Sequence, residues 1–242
     1  DRDLTMELSD GLRALLEALV GPGTALSQAT LNEVIAKVPN SRLGDHPLIK
    51  NEPEIRVRHS RGQSLPDWLE MHSGNIDTFP DGVAFPESSE QVRELLAHAK
   101  ENNLIVIPYG GGTSVVGHIN PETSDKPVLT IDMAKMNSML SIDTESQLAT
   151  FGAGAPGPVV EEELKKHGYT LGHFPQSWEL STLGGWVASR SSGQQSLHYG
   201  RIENMFAGGT IETLNGTMKI PTIPASSAGP DVREMILGSE GR

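Results

Sequence analysis

The first apolar pattern of the chain has helical spacing. Within residues 4–20 four leucines recur three or four positions apart, and a Gly-Pro-Gly sequence at residues 21–23 interrupts the pattern. Positions with this spacing share one face of a helix, so a short helix with an apolar stripe is predicted here. The stripe consists of Leu12, Leu15, Leu16 and Leu19.

Residues 39–66 are polar and contain four prolines. Such a composition predicts an extended connection with little regular structure of its own. A soft domain boundary is therefore expected near residue 75. It would separate an N-terminal helical and extended segment, residues 1–75, from the main domain over residues 76–242.

A tighter pattern follows this boundary. A short apolar run at residues 83–86 is followed by helical spacing over residues 88–99 and by a second apolar run at residues 104–108. Ser88 and Gln91 have the spacing of a capping box, which marks the start of a helix. Strand, helix and strand in this order predict a βαβ unit, whose right-handed crossover favours a parallel pair.

Further strands and helices are predicted by apolar runs, alternation, and proline and glycine signals. The strands are expected at 128–132, at 140–143 and 148–151 as a hairpin, and as an antiparallel pair within 203–223; the helices are expected at 159–167 and 231–237. Parallel and antiparallel strands with helices between them predict an α+β or α/β protein.

Composition narrows the range of functions. The 242 residues carry 19 Lys and Arg against 31 Asp and Glu, a net charge of −12, which argues against nucleic acid as a partner. The chain has no cysteine, so disulfides, thiolate metal sites and a cysteine nucleophile are excluded, and no metal site is predicted. It shows neither an apolar stretch long enough to span a membrane nor a signal peptide, so a cytoplasmic protein is expected. Its 26 glycines are frequent and clustered.

The first glycine cluster, Pro108-Tyr109-Gly110-Gly111-Gly112-Thr113-Ser114, comes directly after a predicted buried strand. Consecutive glycines allow neighbouring amide N–H groups to form an anion-binding nest, to which Thr113 and Ser114 add hydroxyl donors. A Walker A loop would need Gly-Lys-Ser/Thr and a following helix. A phosphate or pyrophosphate cradle without a lysine is predicted, with a tight turn between strands as the alternative.

The second cluster, residues 152–157, has the G-x-G-x-x-G spacing of a Rossmann fingerprint. That fingerprint needs a buried parallel strand before it and an acidic residue about 20 positions later. Here the preceding strand alternates polar and apolar residues, and the first later carboxylate in that region is Glu179. We interpret this cluster as a structural loop.

The third cluster lies within residues 172–200, where small and hydroxyl residues dominate. A segment of this kind buries little surface of its own, which predicts a large planar ligand held by backbone and hydroxyl groups. Close helix-to-sheet packing at Gly184-Gly185 is the alternative, and the two are compatible.

Four sequence blocks in a fixed order resemble a known family. They are Arg58-His59-Ser60-x-Gly62-x-Ser64-x-Pro66-Asp67; Pro108-x-Gly-Gly-Gly-Thr-Ser-Val115; Gly172-His-x-Pro-x-Ser177-x-Glu179-x-Ser181-Thr-x-Gly-Gly-Trp-Val187; and Gly229-Pro-Asp231 with Gly238-Ser-Glu-Gly241. Over roughly residues 56–242 the chain resembles the FAD-linked oxidases of the vanillyl-alcohol oxidase/p-cresol methylhydroxylase (PCMH) type, above all the alkyldihydroxyacetonephosphate synthase branch. The resemblance implies an α+β, PCMH-type FAD-binding domain of two α+β subdomains, preceded by the short helical N-terminal segment.

The resemblance also implies which residues contact FAD, with the first glycine cluster at the pyrophosphate. These are Pro108, Tyr109, Gly110, Gly111, Gly112, Thr113, Ser114, Gln176, Ser177, Trp178, Glu179, Leu180, Ser181, Thr182, Ser189, Arg190, Ser191, Ser192, Glu240 and Gly241. Because bulk charge opposes an anionic cofactor, backbone N–H dipoles and Arg190 are expected to hold it. Thr113 stands where covalent-flavin relatives carry a histidine, so the FAD is expected to be non-covalent.

His173 and Ser239 occupy family positions near the flavin and are the candidate active-site residues. A histidine there could donate or shuttle a proton, because imidazole titrates near neutral pH; a structural ring that caps a loop is the alternative for His173. His118 is interpreted as a surface or packing residue. Three tryptophans are interpreted as core residues: Trp68, Trp178 and Trp186.

The activity implied by the resemblance is exchange of the acyl group of acyl-dihydroxyacetonephosphate for a fatty alcohol through a flavin adduct, a step of ether lipid synthesis. A dehydrogenase of small 2-hydroxy acids and a flavin-binding module that is inactive alone are the alternatives. A small-molecule or lipid-like substrate is expected, and a homodimer and peripheral membrane contact are compatible with it. Because the family motif continues beyond Glu240-Gly241 towards a substrate-binding cap, the chain is expected to be C-terminally incomplete and inactive alone.

Overall fold

The computed structural model describes residues 8–241 as a mixture of helices and strands. The helices are α1 Asp10–Val20, α2 Leu31–Ile35, α3 Pro53–Arg58, α4 Leu65–Ser73, α5 Ser89–Glu101, α6 Gly157–Lys165, α7 Leu183–Ser189, α8 Ser196–Tyr199, α9 Ile202–Met205 and α10 Val232–Ile236. The strands are β1 Ile49–Lys50, β2 Gly82–Ala84, β3 Ile105–Tyr109, β4 Val128–Asp132, β5 Met139–Asp143, β6 Leu148–Phe151, β7 Gly209–Thr213 and β8 Gly216–Ile220. The predicted α+β class is confirmed.

A four-stranded sheet with the order β1-β2-β4-β3 supports the glycine loop. β2 and β3 both run parallel to β4, whereas β1 pairs antiparallel with β2. The predicted unit of β2, α5 and β3 is present. Its two strands are parallel, but they are not paired with each other, which differs from the expectation. β4 lies between them because its residues are buried at all five positions, as those of a central strand are.

Helix α5 covers this sheet with an apolar face. Val92, Leu95 and Ala99 are buried on it, and Leu95 packs with Leu129 and Ile131 of β4 in the core. The predicted cap is present in a modified form: the Ser88 hydroxyl accepts from the Gln91 amide at 3.4 Å. The Gln91 side chain accepts from the Glu87 amide at 2.7 Å rather than from that of Ser88.

Residues 39–66 contain more regular structure than predicted: β1, α3 and the start of α4. Pro53 and Pro66 stand in the first turns of α3 and α4, where a missing amide N–H costs nothing. The prolines thus start helices here. Arg56 of α3 is 2% exposed and donates to the carbonyls of Pro80 and Pro39 at 2.6 and 2.7 Å.

Helix α1 begins at Asp10 with Ser9 as its cap, and residues 4–7 of the predicted helix lie outside the described residues. Its leucine stripe faces solvent. Two antiparallel hairpins, β5-β6 and β7-β8, confirm the predicted pairs, and β7-β8 packs on α5 through Arg93 and Glu212 at 2.8 Å. Across residues 8–241 we find no helix with the length and apolar character needed to cross a membrane.

Candidate cofactor-binding site

The glycine loop, residues 110–114, begins at the carboxyl end of β3, and its backbone amides are available as hydrogen-bond donors. Within residues 8–241 none of its five amide N–H groups donates to a protein acceptor. Gly112 has a φ of +67°, and a Cβ there would overlap the Tyr109 hydroxyl. Adjacent unpaired amides are the donors that a pyrophosphate needs, so the loop fits the predicted cradle.

The third glycine cluster forms the opposite wall of this loop. A Cβ on Gly111 would overlap the Leu180 carbonyl oxygen, and one on Gly110 would overlap the Thr182 side chain. At the C-terminal end, a Cβ on Gly241 would overlap the Pro108 ring. The fold thus brings together three of the predicted stretches: 108–114, 176–182 and 240–241.

A groove of about 360 Å³ adjoins this contact, and five of its eight lining residues are predicted FAD contacts. It is lined by Phe174, Pro175, Gln176, Ser177, Trp178, Glu179, Leu180 and Gln194. Leu180 both lines the groove and packs against Gly111, so the groove lies next to the loop. An extended dinucleotide with its pyrophosphate on the loop fits this arrangement.

Arg190, expected to face the anion, is instead paired with two carboxylates. It ends α7 with a φ of 52°, and its guanidinium contacts Glu203 at 2.7 Å and Glu234 at 2.6 Å. Hydrogen bonds from Arg190 to Glu203 and Glu234 raise the pKa of its guanidinium. Its charge is thus already compensated, which leaves the backbone amides as the donors at the loop. The neighbouring Ser189 and Ser192 side chains are exposed.

His173 is buried, with 1% of its surface exposed, and its ring contacts the Trp186 ring edge-on at 5.0 Å. Its Nε2 lies 2.7 Å from the Ser191 hydroxyl, and its Nδ1 has no partner among the described residues. Burial lowers the pKa of His173, so the ring is neutral at pH 7. Ser239 lies in the turn after α10, where its amide donates to the Ile236 carbonyl at 3.0 Å.

The second glycine cluster packs as a structural loop. Cβ atoms on Gly152 and Gly154 would overlap the carbonyl oxygens of Met136 and Met133. Gly184 at the start of α7 packs on the same loop, donating its amide to the Ala153 carbonyl at 2.8 Å. Close packing is therefore present at Gly184, but against this loop and not against a sheet as the alternative expected.

The three tryptophans have different environments. Trp186 is 2% exposed and lies in the core, as predicted, while Trp178 is half-buried beside the groove. Trp68 is 48% exposed and stacks on His72, so its interpretation as a core residue is wrong. Both residues lie on the face of α4 that points to solvent.

Several residues around the loop carried no predicted role. Gln63 donates its amide to the Ser114 carbonyl at 2.6 Å, and His59 lies 3.0 Å from Asp132 and 4.7 Å, ring to ring, from Tyr109. These contacts join residues far apart in sequence. The one signal for them is the block at residues 58–67, which the resemblance includes without assigning it a role.

His118, interpreted as a surface or packing residue, connects the loop with the C-terminal end. Its Nδ1 lies 3.1 Å from the Ser114 hydroxyl and 3.5 Å from the Glu240 carboxylate.

Comparison with known proteins agrees with this geometry. The alkyldihydroxyacetonephosphate synthase of Dictyostelium discoideum is 39% identical over 193 residues, which are 80% of this chain and 32% of that protein. The mitochondrial D-lactate dehydrogenase (cytochrome) 1 of Saccharomyces cerevisiae is 31% identical over 177 residues, 72% of this chain and 30% of that protein. A solved alkyldihydroxyacetonephosphate synthase structure superposes with a TM-score of 0.82 and 34% identity, over 90% of this chain and 42% of that one.

The chain spans about a third of the length of these curated relatives. A family model described as an FAD binding domain matches residues 80–220, which include the glycine loop, the groove and the β7-β8 hairpin. Since this match covers more than half of the sequence, the chain belongs to the FAD binding domain family.

Proposed function

We propose that the chain holds FAD non-covalently, with the pyrophosphate on the amides of residues 110–114. The observation that carries this proposal is the row of five amides, residues 110–114, that donate to no acceptor within residues 8–241, on a loop whose Gly110 and Gly111 pack against Thr182 and Leu180. The negative net charge of the chain works against an anion, so the fixed N–H dipoles must supply the attraction.

The groove residues and the C-terminal contact complete the proposed site. Residues 176–182 offer backbone groups and hydroxyls to the rest of the cofactor, and Gly241 packs against Pro108. When bound, FAD supplies the redox or group-transfer chemistry, while the protein binds and orients it. Thr113 has no imidazole to form a covalent link with the flavin.

His173 and Ser239 are proposed as active-site residues with different roles. The buried, neutral His173 orients the Ser191 hydroxyl through its Nε2, so it acts as a positioning residue. Ser239 precedes Glu240 and Gly241, of which Gly241 packs on Pro108 just before the glycine loop, and its partly exposed side chain is placed to contact the cofactor or substrate.

For a protein of its relatives' length we propose the alkyldihydroxyacetonephosphate synthase activity: exchange of the acyl group of acyl-dihydroxyacetonephosphate for a fatty alcohol. The identity of 39% and the TM-score of 0.82 support this assignment. This chain would contribute the cofactor site to that activity. A lipid-like substrate would bring the whole protein into peripheral contact with a membrane.

Oxidation of a small 2-hydroxy acid is the second candidate, favoured by the 31% identity to D-lactate dehydrogenase. One experiment separates the two. A protein of full length is incubated with D-lactate without oxygen, and in parallel with acyl-dihydroxyacetonephosphate and a labelled fatty alcohol. Labelled ether product without flavin bleaching supports the synthase, and bleaching without ether product supports the dehydrogenase. A protein that binds FAD but gives neither ether product nor flavin bleaching is a flavin-binding module without activity of its own.

The cofactor assignment is tested on the 242-residue chain itself. Purified protein mixed with FAD and passed through a gel filtration column should retain a yellow colour, with absorption at about 450 nm. Acid precipitation should then leave the flavin in the supernatant. Flavin in the pellet would contradict non-covalent binding, and colourless protein would contradict binding itself.

We also propose that the FAD-binding domain comprises residues 76–242. The family match over residues 80–220 supports this extent. Residues before the boundary nevertheless pack on the same sheet, since β1 pairs with β2 and Arg42 binds Asp81 at 2.7 Å. Expression of residues 76–242 alone, compared with the whole chain by thermal unfolding, measures how much the preceding segment contributes.

A further inference from the structure

Residues 62–67 hold the C-terminal end of the glycine loop. The Gln63 amide donates to the Ser114 carbonyl at 2.6 Å, and a Cβ on Gly62 would lie 2.5 Å from the same oxygen. Ser114 is the last residue of the proposed cradle. The position of residues 62–67 therefore determines where the loop ends.

Asn120 fixes these residues from the far side of the turn that follows the loop. Its Oδ1 accepts from the Gly62 amide at 3.0 Å, and its Nδ2 donates to the Asp67 carboxylate at 2.6 Å. Only this orientation of the amide satisfies both partners, because an N–H group needs an acceptor and a carboxylate needs a donor. Residues 114–120 are thus attached to residues 62–67 at both ends.

Asp67, the anchor of this arrangement, is 2% exposed. Its second oxygen accepts from the amide and the hydroxyl of Ser64 at 2.9 and 2.6 Å, at the start of α4. Burial alone would raise the pKa of Asp67, but hydrogen bonds from Ser64 and Asn120 outweigh it and the pKa is lowered. The buried carboxylate is ionised at neutral pH, so it depends on the Asn120 donor.

We propose that Asn120 is a positioning residue of the cofactor site, which bridges Gly62 and Asp67 and thereby holds the glycine loop in its anion-binding form. The inference rests on the proposed binding of FAD by residues 110–114. Asn120 acts through Gly62 and Gln63. Its contribution is preorganisation: a loop already fixed in the bound form loses less conformational entropy when the ligand arrives.

A polarity swap tests this role. In N120D two carboxylates face each other across the 2.6 Å contact. In D67N the introduced NH2 group faces either the Asn120 NH2 group or the Ser64 amide, so one pair of donors is always in conflict, and turning the Asn120 side chain only moves its conflict to the Gly62 amide. The double variant D67N/N120D restores every bond. The amide introduced at position 67 accepts from Ser64 and donates to the carboxylate introduced at position 120, and that carboxylate also accepts from Gly62. N215D, in the β7-β8 turn, adds the same charge outside this region and is the control.

Two quantities are measured for each variant: the FAD dissociation constant, and hydrogen exchange of the Gly62 and Gln63 amides in the FAD-free protein. Each single variant should weaken FAD binding about tenfold, the size of one hydrogen bond to a charged group, and speed exchange of these amides. The double variant should recover most of both losses, and N215D should match the wild type. If N120D unfolds, N120S, which removes the amide without adding charge, replaces it.

Wild-type affinity and exchange in both single variants would overturn the inference, as would a double variant no better than the sum of its parts. Failure of the wild type to bind FAD would instead overturn the proposed function. The exchange data of the FAD-free protein still decide in that case whether Asn120 holds the loop.

Discussion

Gly111 lies against the carbonyl oxygen of Leu180 so closely that a Cβ at position 111 would overlap it. The obstacle is backbone, which cannot move aside as a flexible side chain can. G111A should therefore push the loop away from its wall and weaken FAD binding at least tenfold, and G111E should abolish it by adding a charge at the pyrophosphate. Fluorescence titration with FAD measures both.

Gly11 in the first turn of α1 provides the control for this substitution, since among the described residues outside that turn no atom lies within 4 Å of the position its Cβ would take. G11A should leave FAD affinity unchanged. Unchanged affinity in G111A and G111E would refute the assignment of the loop as the cradle.

The buried carboxylate of Asp81 should govern acid stability. It accepts hydrogen bonds from Arg42 at 2.8 and 2.7 Å and from the Val128 amide at 2.8 Å. Burial alone would raise its pKa, but these bonds, that of Arg42 first, outweigh burial and lower the pKa below its ordinary value. D81N places an NH2 group against one of these donors and should reduce the free energy of unfolding at pH 7 by about 2 kcal/mol.

The sign of the pH effect follows from the lowered pKa of Asp81. A carboxyl with a lower pKa in the folded state contributes stability above its unfolded pKa and loses it as the pH falls through the folded value. Urea unfolding of wild type and D81N should therefore differ at pH 7 and converge below about pH 4. D77N, at an exposed position, is the control. A difference between wild type and D81N that stays constant down to about pH 2 would contradict this explanation.

The burial of His173 should make the stability of the protein depend on pH in a higher range than that of Asp81. Burial lowers the pKa of its ring, so below about pH 6.5 the unfolded chain takes up a proton more readily than the folded protein. The stability contributed by the neutral ring is complete above that pH and falls as the pH drops towards the folded pKa. H173Q should remove this part of the fall in the free energy of unfolding between about pH 7.5 and pH 5. If the free energy of unfolding has the same slope against pH in wild type, in H173Q and in the exposed-site control H167Q, His173 does not titrate in this way.

Ser181, which follows the groove residue Leu180, is bonded to the core residue Trp186, whose indole N–H donates to the Ser181 hydroxyl at 2.7 Å. S181A leaves this buried donor without an acceptor and should lower the free energy of unfolding of the FAD-free protein by about 2 kcal/mol. S192A, which changes an exposed serine, should have no effect. Thermal unfolding decides, and equal melting temperatures of S181A and wild type would show that another acceptor replaces the hydroxyl.

Local signals account for what was predictable from the sequence. The apolar run of β4 and the antiparallel pair β7-β8 depend on neighbouring residues and appear as predicted, whereas the Ser88 cap forms without the second bond of a capping box. The sequence pattern does not predict helices α3 and α4, because prolines in a polar segment favour an extended connection, although Pro53 and Pro66 both stand in first turns. β4 lies between β2 and β3 because it is buried by residues that are far from it in sequence. Local patterns do not reveal such contacts.

The site shows the same division. The glycine loop and the small-residue cluster are continuous in sequence and could be found from composition. The bounds of helix α7 could not, because seven residues with two glycines have little periodicity; the Thr182 cap and burial of Trp186 stabilise the helix. The attachment of Ser114 to Gln63, and of Asn120 to Asp67, joins residues about 50 positions apart, a distance that no local pattern covers.

The central claim is that FAD sits on the amides of the first glycine cluster. Protein labelled with ¹⁵N-glycine shows signals from its 26 glycines alone, and FAD is added stepwise. We predict large shifts for Gly110, Gly111 and Gly112, smaller ones for Gly241, and none for Gly152 and Gly154, which pack on Met136 and Met133. Shifts at Gly152 and Gly154 with an unchanged first cluster, or no shifts at all, would contradict the account.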